Sequence, residues 1–139
     1  MTGTAAALRD YFESGRSPAV RCAFLFGSQA TDTAHAESDV DAAVLLDPAQ
    51  HPTEASRYEE RVRITADLIG ALHVNRIDVV VLNDAPPGLT RRIVLAGIRV
   101  FCPDPAIAHA LTRDAMLRAA DLDPFLDRMR RIALERLRA

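Results

Sequence analysis

Two kinds of hydrophobic pattern alternate along this chain, and the alternation limits the folds that it can adopt. Short apolar runs, β-branched or alternating in polarity, predict four strands. These runs cover residues 20–26, 39–46, 76–82 and 98–102. Segments with apolar residues at helical spacing precede, separate and follow them, so the predicted order is α-β-α-β-α-β-α-β-α. This order predicts an α/β or α+β sheet with helices packed on it, and it leaves the strand directions open.

The predicted helices cover residues 5–13, 29–35 and 54–74, about ten residues after Pro86, and the tail beyond Pro105. The apolar stripe predicted to bury the long helix comprises Ala55, Tyr58, Val62, Thr65, Leu68, Ile69 and Leu72. In the tail, Pro124 predicts a break near Asp123, because proline restricts the residue before it and suits the first turn of a new helix.

The length of the chain suits one domain with one hydrophobic core, since 139 residues is close to the commonest domain size. We therefore expect a single domain over residues 1–139. No apolar run approaches the roughly twenty residues needed to cross a bilayer, and no secretory pattern is present. Cys22 and Cys102 lie far apart in the sequence, which predicts buried thiols rather than a disulfide framework. These features predict a cytoplasmic protein with no membrane partner.

Two carboxylates are expected on one face of the second strand. Residues two apart on a strand point the same way, so Asp39 and Asp41 share a side. Close like charges repel unless something neutralises them, and a hard cation does so. Mg²⁺ prefers one or two protein carboxylates together with waters and substrate phosphates. The spacing therefore predicts a magnesium site.

Asp78 and the Gly27-Ser28 turn add to this pattern. Asp78 lies between Ile77 and Val79 in a strand predicted to be buried, where an unpaired carboxylate is costly. Three converging carboxylates suit two metal ions roughly 4 Å apart and in-line phosphoryl displacement. Glycine lets the backbone approach a phosphate closely, and Ser28 with the amides of a helix start offers donors.

Each element also has an ordinary interpretation. A Gly-Ser pair after a strand is usually a turn with a helix cap, and Asp-x-Asp is common on solvated strand edges. Asp78 could be an ion-paired acid, with Arg76 or Arg99 as its partner. The combination of all three elements in this order is much more specific, and it favours a metal and nucleotide site.

The polymerase-beta superfamily of nucleotidyltransferases has motifs that three segments of this chain resemble: Phe24-Leu25-Phe26-Gly27-Ser28, Ser38-Asp39-Val40-Asp41 and Ile77-Asp78-Val79-Val80. More closely, the chain resembles the MNT antitoxins that pair with HEPN ribonuclease toxins. The resemblance covers nearly the whole chain. It implies a nucleotidyltransferase fold, with a small mixed β-sheet flanked by helices and a C-terminal helical tail. By this resemblance, residues 1–102 are the catalytic core and residues 103–139 a helical tail open to a partner.

The resemblance also implies an activity. Asp39 and Asp41 would bind two Mg²⁺ ions, Asp78 would complete the catalytic metal site, and Gly27 and Ser28 would bind the nucleotide. The implied reaction transfers AMP from ATP to a tyrosine of a HEPN toxin, held in a hetero-oligomer, and so silences the toxin. Two alternatives stay open: an antitoxin that acts by binding alone, and a transferase for a small hydroxylated molecule.

One departure from the resemblance bears on nucleotide affinity. Similar sequences often carry Ala-Arg-Gly shortly after the Gly-Ser turn, whereas this chain has Ala30-Thr31-Asp32. An arginine that would grip phosphate is therefore missing.

The last helix carries both a basic cluster and an apolar stripe. The stripe comprises Leu126, Met129, Ile132, Ala133 and Leu137, and it is available to the core or to a protein partner. No aromatic residues are interleaved with the arginines, so we expect no direct contact with nucleic acid.

Overall fold

The structure, a computed structural model, describes residues 3–27 and 39–138, with the backbone alone at residues 122 and 123. In chain order its elements are α1 (Gly3–Glu13), β1 (Val20–Phe26), β2 (Val40–Leu46), α2 (Glu54–Leu72), β3 (Ile77–Val81), α3 (Pro87–Ala96), β4 (Ile98–Phe101) and α4 (Pro105–Arg138). Each is a predicted element, close to its predicted bounds. The helix predicted over residues 29–35 lies outside the described residues.

The four strands form one mixed sheet in the order β3-β2-β1-β4. β1 pairs antiparallel with both β2 and β4, whereas β2 and β3 are parallel. The parallel pair follows from α2, because parallel neighbours need a long crossover connection. The predicted small mixed sheet with flanking helices is confirmed.

Helices cover both faces of this sheet. On one face, Leu8 of α1 and Ile64 of α2 pack against Val44 and other side chains of β2. On the other face, Ile93 of α3 and Ala108 of α4 pack against side chains such as Phe24. Successive residues of a strand point to opposite faces, so a sheet covered on both sides needs apolar residues at nearly every position. β2 is apolar at every position except Asp41, the second residue of the strand.

The predicted buried stripe of α2 is wrong at several positions. Ile64 and Leu68 are the buried residues of this helix, whereas Tyr58 and Val62 are 61% and 53% exposed. The sheet-facing side of α2 also carries polar groups that periodicity cannot reveal. Tyr11 donates a hydrogen bond of 2.7 Å to Asp67, and this contact orients α2 against α1.

The tail forms one helix, and the predicted break at Pro124 does not occur. α4 runs from Pro105 to Arg138 with Pro124 inside it. Proline removes one intrahelical N–H donor, but its fixed φ is itself helical, so the helix continues at the cost of one hydrogen bond. Ala108, Ala115 and Ala119 are buried against the domain. Beyond them, every residue from 120 to 138 whose side chain is described is exposed. Among the described helices, none is long and apolar enough to cross a membrane.

Candidate metal and nucleotide site

The candidate residues lie together at one end of the sheet, where β1 ends and where β2 and β3 begin. The antiparallel register of β1 and β2 places Phe26, and hence the end of β1 before Gly27, opposite Asp41. The parallel register of β2 and β3 places Asp41 directly opposite Asp78. Asp39 lies immediately before β2. We call Gly27, Asp39, Asp41 and Asp78 the acidic edge.

Gly27 lies directly against the Asp41 carboxylate. Its φ of +74° is in the left-handed region, which glycine adopts without a steric penalty. A Cβ atom at this position would be 2.5 Å from Oδ2 of Asp41 and 3.3 Å from its Cγ. Any other residue would therefore displace the carboxylate as well as strain the turn.

Asp39 and Asp78 are both open to solvent, which the sequence did not suggest for Asp78. Their side chains are 51% and 50% exposed, so the expectation that Asp78 is buried is wrong. The reason is that β3 is an edge strand and Asp78 lies at its beginning. Sequence periodicity identifies an apolar strand but not its place in the sheet.

Arg76 lies between the two exposed carboxylates. Its Nε is 3.7 Å from Oδ2 of Asp39 and 3.8 Å from Oδ1 of Asp78. The sequence pointed to Arg76 as a partner of Asp78, but it did not reveal the contact with Asp39. Both separations are longer than a direct hydrogen bond, and exposed ion pairs of this kind contribute little stability.

The electrostatics of the acidic edge centre on Asp41. Burial raises the pKa of Asp41, and the neighbouring charges of Asp78 and Asp39 raise it further. Arg76 opposes the shift. The cluster therefore has more negative charge than its one arginine balances, and binding a cation would relieve the repulsion.

These residues fit Mg²⁺ by the chemistry of their donors, since all three are carboxylates, two of them are half exposed, and Asp41 lies against a backbone position without a side chain. Within residues 3–27 and 39–138, no group of three acidic, histidine or cysteine side chains already converges as a complete metal-ligand set. A divalent ion would instead compete with the Arg76 guanidinium for Asp39 and Asp78. Ser28, predicted to bind the nucleotide, lies outside the described residues.

Solved structures share this fold. A chain from a toxin–antitoxin complex with AMP-PNP is 21% identical, with a TM-score of 0.66 and coverage of 97% of this chain and 98% of its own. A chain from the complex of the tri-AMPylated Shewanella oneidensis HEPN toxin with MNT antitoxin is 19% identical, with a TM-score of 0.59 and coverage of 94% and 96%. A candidate minimal nucleotidyltransferase is 30% identical, with a TM-score of 0.52 and coverage of 68% and 91%.

At 19% and 21% identity, the first two likenesses show the fold alone. No curated protein sequence matches the chain significantly. The family described as polymerase beta, nucleotidyltransferase matches residues 7–106. That match covers most of the chain and includes the whole acidic edge. The chain thus belongs to the polymerase beta nucleotidyltransferase family.

Proposed function

We propose that this nucleotidyltransferase is an antitoxin that uses Mg²⁺ and ATP to transfer AMP to a tyrosine hydroxyl of a cognate HEPN ribonuclease toxin. Family membership supports nucleotidyl transfer. The fold shared with chains of toxin–antitoxin complexes, one with AMP-PNP and one with a tri-AMPylated toxin, supports the nucleotide and the acceptor class. The observation that carries the proposal is the Asp41 carboxylate, held against the backbone of Gly27 and opposite Asp78.

Asp39, Asp41 and Asp78 would hold two Mg²⁺ ions. When bound, the metal neutralises triphosphate charge and stabilises the attacking and leaving oxygens. In the reaction, a bond forms between the tyrosine oxygen and the α-phosphorus of ATP, and the bond from that phosphorus to pyrophosphate breaks. Asp78 is the acid of β3 and is half exposed, and we assign it the proton of the attacking hydroxyl.

Gly27 and Ser28 would bind the triphosphate. The backbone at Gly27 has no side chain to hold a phosphate away from the carboxylates. Ser28 and the amides after it would donate hydrogen bonds to phosphate oxygens. Because the chain has no arginine next to Thr31, we expect these backbone donors to provide much of the affinity for phosphate.

The part of α4 beyond Ala119 is the proposed surface for the toxin. We call residues 120–138 the outer helix. Its exposed apolar side chains include Phe125, Leu126, Met129, Ile132 and Leu137. A helix with an apolar stripe that no element in residues 3–27 and 39–138 covers is the arrangement that a helix-in-groove interface requires. We expect a hetero-oligomer that acts in the cytoplasm, where ATP is available.

Intact-protein mass spectrometry tests the transfer. The chain is incubated with ATP, Mg²⁺ and the HEPN protein encoded beside its gene. We expect the toxin to gain one or more AMP masses, which peptide mapping assigns to tyrosine. Asp78→Asn should add none while still binding the toxin. Asp10→Asn, which changes an exposed acid of α1, is the matched control and should retain full transfer.

A different result would select an alternative. If the wild type adds no mass and the unmodified toxin is nevertheless inhibited at stoichiometric ratio, the chain acts by binding alone. Transfer to an aminoglycoside, without transfer to the toxin, would identify a small-molecule transferase.

A further inference from the structure

The two cysteine side chains are in contact between the neighbouring strands β1 and β4, although 80 positions separate them in the sequence. The register of β1 and β4 pairs Ala23 with Phe101, so Cys22 and Cys102 occupy the next facing positions of antiparallel neighbours. Their Sγ atoms are 2.8 Å apart, closer than unbonded sulfur atoms normally approach. Facing positions on antiparallel strands bring Cβ atoms to about the separation that a disulfide spans.

The two thiols differ in access to solvent. Cys22 is buried in the core beneath α4, and Cys102 is partly exposed just after β4. Burial and the adjacent Cys102 raise the pKa of Cys22, while Arg99 opposes this shift. Cys102 also donates a hydrogen bond of 3.2 Å to the backbone oxygen of Asp104. The outer thiol is therefore the one that a solute can reach, and the inner one lies directly behind it.

The expectation that both thiols are buried is wrong for Cys102, which is partly exposed. Both cysteines are free, as expected, and they form a contact pair that the sequence did not reveal. The acidic edge lies at the other end of β1, beyond Phe26, so nucleotidyl transfer does not account for the pair.

We propose that Cys22 and Cys102 form an oxidation site at which hydrogen peroxide converts the two thiols into an intramolecular disulfide. The Cys102 thiolate attacks a peroxide oxygen, so that an S–O bond forms, the O–O bond breaks and water leaves after protonation. The Cys22 sulfur then attacks the Cys102 sulfur, which forms the S–S bond and releases the second water. Two electrons pass from the thiols to the peroxide, and two thiols plus one peroxide give one disulfide and two waters.

The disulfide would fasten β1 to the start of α4. Cys102 is followed by Pro103 and Asp104 before α4 begins at Pro105. The closed loop would hold most of the domain, including β2, α2, β3 and α3. Long loops restrict the unfolded chain most, so oxidation should raise the melting temperature by about 10 °C.

Treatment of the whole, folded chain with hydrogen peroxide, followed by alkylation in denaturant so that both cysteines are accessible, tests the site. After treatment and reaction with N-ethylmaleimide, we expect a monomer that has lost two hydrogen atoms and carries no maleimide. Dithiothreitol should restore both reactive thiols and the lower melting temperature. Peptide mapping should identify the Cys22–Cys102 link.

Cys22→Ala and Cys102→Ser are the matched variants, and neither should show the intramolecular loss of two hydrogens. The measurement on the wild type stands even if a variant folds poorly. Two wild-type results would overturn the proposal: both thiols remaining open to alkylation after peroxide, or disulfide-linked dimers as the only oxidised product.

Discussion

The acidic edge and the outer helix, two regions of the same small domain, carry side chains that folding alone would disfavour. At the acidic edge, strand register holds like charges close together, and the pKa of Asp41 is raised first by burial and then by the charges of Asp78 and Asp39. In the outer helix, large apolar side chains such as Met129 and Leu137 are exposed to solvent. The first region suits small charged ligands, whereas the second suits a protein surface. Under the proposed function, chemistry belongs to the sheet and recognition to the tail.

The largest predicted effect falls on the outer helix. Leu126→Glu combined with Met129→Glu should weaken toxin binding by at least 100-fold, because each change would bury an unpaired charge in an apolar contact. The melting temperature should stay nearly unchanged, since both side chains are exposed in the free chain. Isothermal titration with the toxin and thermal unfolding measure the two quantities.

Arg130→Gln is the control for the outer helix. It removes only an exposed ion pair with Asp127 and should alter toxin affinity less than threefold. If the glutamate variant bound the toxin as well as the wild type does, recognition would have to lie elsewhere in the domain.

A smaller effect is predicted at Gly27, for which the chain offers a matched control. Gly27 and Gly15 both have positive φ, but a Cβ would meet Asp41 at Gly27 and nothing within 4 Å at Gly15. Alanine at either position should lower the free energy of unfolding by about 1 kcal/mol. Only Gly27→Ala should also slow transfer, by about 10- to 100-fold, because it displaces the Asp41 carboxylate.

Denaturant titrations and initial transfer rates separate these two consequences. Equal transfer by both alanine variants would show that the position of Asp41 against Gly27 has no part in the chemistry.

The smallest effect concerns the stability of the metal-free protein. Asp41→Asn should increase the free energy of unfolding at pH 7 by about 0.5 kcal/mol, since it removes one of several repelling charges. Because the pKa of Asp41 is higher in the folded chain than in the unfolded chain, ionisation of Asp41 destabilises the folded state. This penalty is absent at pH values below the ordinary aspartate pKa of about 3.9 and grows as the pH rises through the raised value.

The advantage of Asp41→Asn should therefore vanish at acidic pH. Urea denaturation in the presence of chelator, at pH 7 and near pH 3.5, provides the comparison. A variant that is less stable than the wild type at pH 7 would mean that Asp41 has a stabilising partner in the fold.

The sequence predicts local features of this molecule well, because they depend on neighbouring residues. Alternation located β2, and proline with glycine bounded α3. Features that depend on strand order were missed. The exposure of Asp78 reflects the edge position of β3, and the contact of Cys22 with Cys102 reflects the β1–β4 register. Neither is encoded in a local pattern.

The errors in the helices have a related cause. Periodicity treats polar residues as solvent-facing, whereas Asp67 of α2 accepts a hydrogen bond from the buried Tyr11 of α1. At Pro124, the local rule for proline overestimated the disruption, since the helix continues with one hydrogen bond fewer.

Calorimetric titration of ATP, with Mg²⁺ and then with chelator, tests most directly whether the acidic edge is a metal-dependent nucleotide site. The account predicts that ATP binds at least tenfold more tightly with Mg²⁺, because without a cation the carboxylates repel the triphosphate. It also predicts that Asp39→Asn combined with Asp41→Asn abolishes this dependence while the chain stays folded. Equal ATP affinity of the wild type with Mg²⁺ and with chelator would contradict the assignment of the acidic edge as a metal site.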